Sequence, residues 1–282
     1  MAKILGLDLG TNSIGWALID DILQKIIDTG VRVFPEGVNR DTKGAEISKN
    51  ADRRSSRQMR RMYLRKKYRK AALVSLLIKH QMFPDINQLL QTYPPDRWQH
   101  LKNFREQLYF LLNQVDLHPD LKAYFAMNPY ELRAMGIEGK PLTRLQLGRV
   151  LYQFAQRRGY KESLQSPLED GKTVMKGKPE EGTLGIEQTK QAIAAHKTLG
   201  SALYQLQLAH EAYLKNKKAE YPERIRNRYT LRSMFKQEFA DLWQAQAIHH
   251  PQLLTEELYH SLEDDKHGIL FFQRPLRNQR FL

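Results

Sequence analysis

Two groups of residues in this chain have the types and the spacing to do chemistry, and the first is a single carboxylate. Asp8 lies among apolar residues in the segment GLDLGTNSIGWA, shortly before Gly10, Thr11 and Asn12. A carboxylate in such surroundings is costly to bury unless it is hydrogen-bonded, caps a turn or binds a cation. Two interpretations therefore remain open for Asp8: a turn cap, or a ligand to Mg²⁺, which usually takes one or two carboxylates together with phosphate oxygens.

The second group is a ladder of arginines at strict i,i+4 spacing: Arg53, Arg57, Arg61, Arg65 and Arg69. On a helix these arginines form a stripe about 24 Å long. Each successive pair repels by roughly 0.2–0.5 kcal/mol, whereas a solvated face normally alternates Glu with Lys. Arginine also offers phosphate two parallel hydrogen bonds. The pattern favours a nucleic-acid-binding helix over a solvated face, and the residues expected to bind are Arg53, Arg54, Arg57, Arg60, Arg61, Arg65 and Arg69.

Most of the net positive charge of the chain lies in the segment that contains this ladder. The formal net charge is +14, and residues 49–70 hold eleven Lys or Arg against one acid, Asp52. A charge concentrated in this way is typical of a segment that binds a polyanion. A membrane-surface helix is disfavoured, because the apolar residues within the ladder form no clean opposite face.

Composition excludes several other classes of site. The 282 residues include no cysteine, which excludes disulfides, cysteine zinc sites and thiol nucleophiles. The nine histidines do not have the spacing of zinc ligands. No apolar run approaches the ~20 residues of a membrane helix, and the opening lacks a signal-peptide pattern. We expect a soluble, cytoplasmic protein.

The predicted elements place the two groups on different kinds of structure. Short runs rich in Ile, Leu and Val, broken by turn signals, predict strands near 3–9, 13–20 and 24–34. A polar connector, 36–49, precedes a helix that is basic to about Lys70 and apolar through Ile78. The remainder predicts proline-punctuated helices and one mobile loop: helices from Pro94 to Leu112, from Thr143 to Gly159, and over 186–216, 230–247 and 255–263, with the loop at 161–182. The fold class is a small α/β element followed by an all-α region.

The two groups together resemble the amino-terminal part of a known family. GLDLGTNSIGWA with Asp8, followed by the ladder NADRRSSRQMRRMYLRKKYRKAAL, is similar to the opening of the type II CRISPR RNA-guided DNA endonucleases, the Cas9 family. Further segments match in family order and resemble recognition-lobe motifs of the compact subtype II-C: NPYELRAMGI at 128–137, LYQFAQRRGYKES at 151–163, RIRNRYTLRSMF at 224–235 and GILFFQRPLRNQ at 268–279.

The resemblance implies a domain organisation and a set of partners. Residues 1–48 would be the first, incomplete segment of the ribonuclease-H-like RuvC domain, 49–80 the arginine-rich bridge helix, and 81–282 an α-helical recognition lobe. Asp8 would be a RuvC-site carboxylate that binds Mg²⁺ or Mn²⁺ and is catalytic in DNA cleavage. The implied partners are guide RNA, trans-activating RNA and target DNA, bound by a monomer without a membrane. The remaining nuclease segments would follow Leu282, so this chain alone is expected to be inactive.

Further RNA contacts are expected outside the ladder. Arg157 and Arg158 end a helix, where cations also complement the helix dipole; the resemblance favours a contact with guide RNA. Arg224 and Arg228 are also expected to contact RNA, in a second basic cluster that includes Arg226 and Arg232.

Two other functions remain open. The first is a non-catalytic RNA-binding protein that kept the ladder without cleavage. The second is an ATPase of the actin and heat-shock group, which shares the pattern Asp-Leu-Gly-Thr-Asn-Ser. That interpretation accounts for the opening residues only, and it requires a second phosphate motif, Asp-x-Gly-x-Gly-Thr, which the sequence lacks.

Overall fold

A computed structural model describes residues 3–10, 12–35, 37–40, 42, 46–160, 165–167, 173–175, 179–216 and 229–272. The chain divides into two compact units, 1–63 and 64–282. Within the described ranges, no helix is both long enough and apolar enough to cross a membrane.

The first unit contains an antiparallel sheet in which each strand pairs with the next along the chain. Its strands are β1 (Lys3–Leu9), β2 (Ser13–Asp20) and β3 (Lys25–Val33), in the order β1-β2-β3. The backbone N–H of Gly10 donates to the Ser13 carbonyl at 2.9 Å and closes the first turn. The Asp20 carboxylate closes the second turn by accepting from the N–H groups of Ile22 and Leu23, each at 3.0 Å. The predicted strands are confirmed within one residue at their ends.

The connector after Pro35 is more ordered than its polar composition predicts. Two three-residue strands, β4 (Val38–Arg40) and β5 (Glu46–Ser48), pair antiparallel within it. Strands this short show no alternation of apolar and polar residues, so periodicity does not reveal them.

Helix α1 carries the whole arginine ladder, as predicted. It runs without a break over Asn50–Lys79, 30 residues. Its residues Ala71, Leu73, Val74 and Leu77 are buried, whereas most side chains before Tyr68 are exposed. Packing therefore holds the apolar end of the helix, and the basic end depends on its own backbone hydrogen bonds.

The rest of the second unit is helical. Its described elements are α2 (Ile86–Gln91), α3 (Phe104–Leu112), α4 (Pro119–Ala126), α5 (Pro129–Ile137), α6 (Arg144–Gln156), α7 (Pro179–His196), α8 (Leu199–Lys215), α9 (Arg232–Ala247) and α10 (Glu256–Glu263), with the short strand pair β6 (Gln165–Pro167) and β7 (Thr173–Met175). Part of the loop predicted at 161–182 is thus a strand pair and the start of α7. Its other residues lie outside the described ranges.

Two helix starts show where capping decides the structure. Thr143 begins α6 as predicted: its hydroxyl accepts from Gln146 N–H at 3.3 Å, and Gln146 accepts in return from Thr143 N–H at 2.8 Å. The helix predicted from Pro94 is wrong at its start. A single 3₁₀ turn occupies Pro95–Arg97, and α3 begins only at Phe104, after its cap Asn103. The Asn103 side chain accepts a hydrogen bond from Glu106 N–H at 3.1 Å. This cap stabilises a helix start at Phe104 more than the prolines stabilise one at Pro94.

A buried ion pair holds four helices of the second unit together. Arg133 on α5 and Glu238 on α9 are each 1% exposed. Arg133 Nε donates to Glu238 Oε1 at 2.8 Å, Nη2 pairs with Oε2, and Nη1 donates to Gln153 Oε1 on α6 at 3.0 Å. A Cβ on Gly200 of α8 would lie 2.1 Å from Glu238 Oε1, so the close approach of α8 requires glycine there.

We expect single substitutions in this pair to cost far more than the double substitution. Glu238→Leu leaves the Arg133 charge buried and unpaired, which should lower the free energy of unfolding by about 3–5 kcal/mol. Combining it with Arg133→Met removes both charges and should recover much of that loss. Urea unfolding of the two single variants and the double variant provides the measurement. A double variant as unstable as the sum of the singles would show that the pair is not coupled.

Candidate nucleic-acid interface

The first part of the ladder is open to solvent. Arg53, Arg54, Arg57, Arg60 and Arg61 are all exposed on α1. None of them takes part in an ion pair between described residues. Their charges are therefore available to a partner, as a nucleic-acid-binding helix requires.

The last two ladder residues, Arg65 and Arg69, belong to a different environment, which they share with Arg158 and Arg232. We call these four residues the arginine cluster. Backbone carbonyl groups hold three of its members: Arg69 Nε donates to the Ala155 oxygen at 2.9 Å, and Arg232 Nη1 donates to the Phe271 oxygen at 3.2 Å. Arg158 Nη1 lies 3.1–3.3 Å from three successive carbonyl oxygens, those of Leu270, Phe271 and Phe272. Carbonyl oxygens orient a guanidinium without neutralising its charge.

The members of the arginine cluster repel one another. Burial, followed by the neighbouring charges of Arg69, Arg232 and Arg65, lowers the pKa of Arg158 to about 9. Burial and Arg232 lower the pKa of Arg69 to about 10. Both guanidinium groups remain charged at neutral pH, so the folded protein bears this repulsion. A bound oxyanion would relieve it, and phosphate is the oxyanion whose geometry suits arginine.

The backbone around Gly159 brings two members of the cluster together. Tyr160 and Leu231 form an isolated parallel bridge: Tyr160 N–H donates to the Thr230 oxygen at 2.9 Å, and Arg232 N–H donates to the Tyr160 oxygen at 2.8 Å. Gly159 has φ +70°, and a Cβ there would lie 2.4 Å from the Leu231 carbonyl carbon. Only glycine satisfies both conditions, so the Arg-Arg-Gly-Tyr segment is built for this contact.

The other arginines predicted to bind RNA have different outcomes. Arg157 is exposed directly after α6. Arg158 is half-buried, and its guanidinium is directed at the carbonyl groups of 270–272, which are distant in sequence. Arg224 and Arg228 lie outside the described residues. Arg232 was part of a basic cluster in the sequence, but nothing there connected it to the ladder.

Asp8, the carboxylate predicted to bind a metal ion, belongs to the first unit. It lies in β1 opposite Gly15, and its side chain is exposed. No hydrogen bond to its carboxylate is found among the described residues, so the structure gives the turn-cap interpretation no support. Within the same ranges, no group of three or more His, Cys, Asp or Glu residues is placed to hold a metal ion. One carboxylate alone does not form a Mg²⁺ site, and the metal-ligand role stays a prediction.

Comparison with known proteins agrees with the motifs. No family model matches the chain. The chain is 29% identical over 206 residues to the CRISPR-associated endonuclease Cas9 of Campylobacter jejuni, an alignment that covers 72% of this chain and 17% of the relative. A Cas9 of Streptococcus thermophilus is 31% identical over 86 residues, which is 30% of this chain and 7% of the relative.

The fold comparison extends over nearly the whole chain. The crystal structure of Campylobacter jejuni Cas9 in complex with sgRNA and target DNA superposes with a TM-score of 0.52 at 21% identity, covering 98% of this chain and 30% of that one. The small sheet followed by a helical region is therefore a Cas9-like fold. The resemblance to the Cas9 family is confirmed, and the chain spans less than a third of the length of these relatives.

We expect Arg65→Gln to separate stability from binding. Arg65 is half-buried, its Nε has no hydrogen-bond partner among the described residues, and its charge adds to the repulsion on Arg158. Removing the charge should leave the free energy of unfolding unchanged or raise it by up to about 1 kcal/mol. RNA affinity should fall by roughly 10- to 150-fold, since a hydrogen bond to a charged group is worth about 1.5–3 kcal/mol.

Thermal unfolding and RNA binding of the same preparation measure the two effects. Arg97→Gln, which removes an exposed arginine from the Pro95–Arg97 turn, is the control and should change neither. A loss of stability without a loss of affinity would make Arg65 a structural residue.

Proposed function

We propose that this chain is the RNA-gripping, amino-terminal portion of an RNA-guided DNA endonuclease of CRISPR antiviral defence. The observation that carries the proposal is the arginine cluster, in which four cations lie near one another and backbone carbonyl groups orient three of them. The exposed ladder of α1 leads along the same helix to this cluster. Together they offer a series of phosphate contacts, which position a nucleic acid without reading its bases, as suits a protein in which base pairing supplies the sequence choice.

The proposal assigns a role to each part of the chain. Residues 1–48 are the first RuvC segment, 49–80 the bridge helix and 81–282 the recognition lobe. The apolar residues of the β1–β3 sheet support the first assignment: Leu9 and Val33 are 72% and 73% exposed, as expected for strands that need a further layer to cover them. The partners are a guide RNA with its trans-activating RNA, and target DNA. The sgRNA and DNA in the Campylobacter jejuni Cas9 structure support this choice.

Asp8 is assigned to the nuclease site as a ligand of Mg²⁺. When bound, the metal would stabilise charge on the scissile phosphate and activate water. Among the described residues, no group of three or more His, Cys, Asp or Glu side chains is placed to hold the metal, so the assignment requires ligands besides Asp8. This chain contributes the position of Asp8 at the end of a strand, exposed and free of hydrogen bonds from described residues.

A non-catalytic RNA-binding protein is the second candidate, because the arginine cluster and ladder alone explain RNA binding. Metal-dependent nicking by a longer version of the chain separates it from the nuclease. No observation favours the actin-like ATPase, since the Cas9-like fold extends through the helical unit, which that interpretation leaves unexplained.

Replacing the ladder should flatten the salt dependence of RNA binding. We expect the alanine variant of Arg53, Arg57, Arg61, Arg65 and Arg69 to lower the slope of log K against log salt by about 3.5–4.5 units if all five meet phosphates. Affinity should fall alike for guide RNA and for an unrelated RNA, because phosphate contacts carry no base information. Filter binding from low to high salt provides the measurement.

A matched control removes the same number of charges elsewhere. Its substitutions to alanine fall on exposed lysines of the second unit: Lys79, Lys102, Lys122, Lys140 and Lys266. The control should keep the slope of the unsubstituted chain. An unaltered slope in the ladder variant would rule out the ladder as a phosphate-binding surface, and would contradict the proposed function.

Asp8 is tested by cleavage. We expect the 282-residue chain to leave DNA intact in Mg²⁺, since a single carboxylate cannot hold two metal ions in line with a phosphate. In a chain extended by the further nuclease segments, Asp8→Ala should abolish cleavage of one DNA strand and leave guide binding unchanged. Cleavage of both strands by that variant would rule out the metal-ligand role.

A further inference from the structure

A second group of cations lies against aromatic rings where α3 meets α1. Arg105 Cζ on α3 is 4.7 Å from the ring centre of Tyr68 on α1, and Lys67 Nζ on α1 is 5.1 Å from the ring centre of Tyr109 on α3. Each helix thus supplies one cation and one tyrosine to the other. We call Lys67, Tyr68, Arg105 and Tyr109 the cation–tyrosine patch.

Two further contacts between a cation and an aromatic ring involve α6. Lys70 Nζ is 5.6 Å from the ring centre of Tyr152, and Arg149 Cζ is 5.7 Å from that of Phe125. The Nε and Nη1 atoms of Arg149 are buried without a hydrogen-bond partner. Lys67 and Tyr68 stand between Arg65 and Arg69 in the sequence, so α1 contributes to both the patch and the arginine cluster.

The choice of tyrosine as the partner of a cation has an electrostatic consequence. A carboxylate would hold Lys67 or Arg105 in place but would also neutralise it, whereas an aromatic ring attracts the cation and leaves its charge intact. Neither Lys67 nor Arg105 takes part in an ion pair between described residues. The two long side chains are therefore ordered before any ligand arrives, which lowers the entropy lost on binding.

We propose that the cation–tyrosine patch is a second phosphate-binding site, distinct from the arginine cluster, for the backbone of the same bound nucleic acid. This inference rests on the proposed function and adds α3 to the interface. Arg105 and Lys67 contact phosphate oxygens. Tyr68 and Tyr109 are positioning residues, which act by holding those cations. Stacking of a nucleobase on the patch is less suited to this geometry, because a cation already covers one face of each ring.

The salt dependence of RNA binding by the full chain tests the phosphate contacts. Arg105→Gln and Lys67→Gln should each lower the slope of log K against log salt by roughly 0.7–0.9, the effect of one phosphate contact. Arg97→Gln removes an exposed arginine from the turn before α3 and should leave the slope unchanged. A slope unchanged in both Arg105→Gln and Lys67→Gln would overturn the site.

Tyrosine variants test the positioning role with a readout that charge removal does not share. Tyr109→Leu keeps every charge and releases Lys67, so affinity should fall severalfold while the slope holds. Tyr109→Phe keeps the ring, and the Tyr109 hydroxyl is buried without a hydrogen-bond partner, so this variant should bind like the unsubstituted chain. Equal losses in the leucine and phenylalanine variants would overturn the positioning role. Thermal unfolding of each variant identifies any that lose binding through misfolding.

The ladder variant distinguishes this inference from the proposed function. If the five-alanine ladder variant has a flatter slope and Arg105→Gln and Lys67→Gln do not, the patch is not a phosphate-binding site and the proposed function stands. If the ladder variant also keeps its slope, the chain does not bind RNA through these cations at all, and both fail.

Discussion

Four guanidinium groups, those of Arg65, Arg69, Arg158 and Arg232, lie near one another in the second unit: besides burial, the charges of the other three lower the pKa of Arg158, and that of Arg232 lowers the pKa of Arg69. Carbonyl oxygens of Ala155 and of residues 270–272 orient three of them. The carbonyl groups that orient these guanidinium groups are neutral dipoles, which do not cancel the positive charges. A bound anion would relieve the repulsion between the charges. Much of the local structure can be understood as the scaffold that holds this arrangement together.

The same unit shows what an arginine looks like when its role is structural. Arg133 is almost fully buried, and both oxygens of Glu238 and the amide oxygen of Gln153 satisfy its guanidinium. That pair is internally neutral and offers nothing to a ligand. Its contribution is to fix α5, α6 and α9 relative to one another, and α6 in turn leads into Arg158 and Gly159. The neutral, buried pair supports the charged, open cluster.

The parts of this structure that follow from local sequence were predictable. The three strands, the length of α1 and the Thr143 cap each depend on residues within one element. The start of α3 was not predicted, because the sequence offers two helix starts, the prolines at 94 and 95 and the cap Asn103 with Glu106. The helix begins at the second of them.

The candidate site divides in the same way. The ladder arginines were predictable because their spacing is regular along a single helix. Arg232 joins Arg158 through the parallel bridge of Tyr160 with Leu231, residues 71 positions apart. Arg105 meets Tyr68 across two helices. Glu238 pairs with Arg133 over 105 residues. Such contacts exist only once the helices have packed, and no local pattern signals them.

Repulsion within the arginine cluster is tested most directly by the salt dependence of stability. Salt screens the interactions of partly exposed charges, and the Debye length falls from about 30 Å at 0.01 M to about 3 Å at 1 M. The free energy of unfolding of the free chain, measured by urea unfolding across this range, should rise with sodium chloride. It should rise less steeply in Arg65→Gln, which removes one of the four charges. A free energy of unfolding that falls with salt, or that has the same salt dependence in both proteins, would contradict the claim that repulsion within the arginine cluster destabilises the folded state.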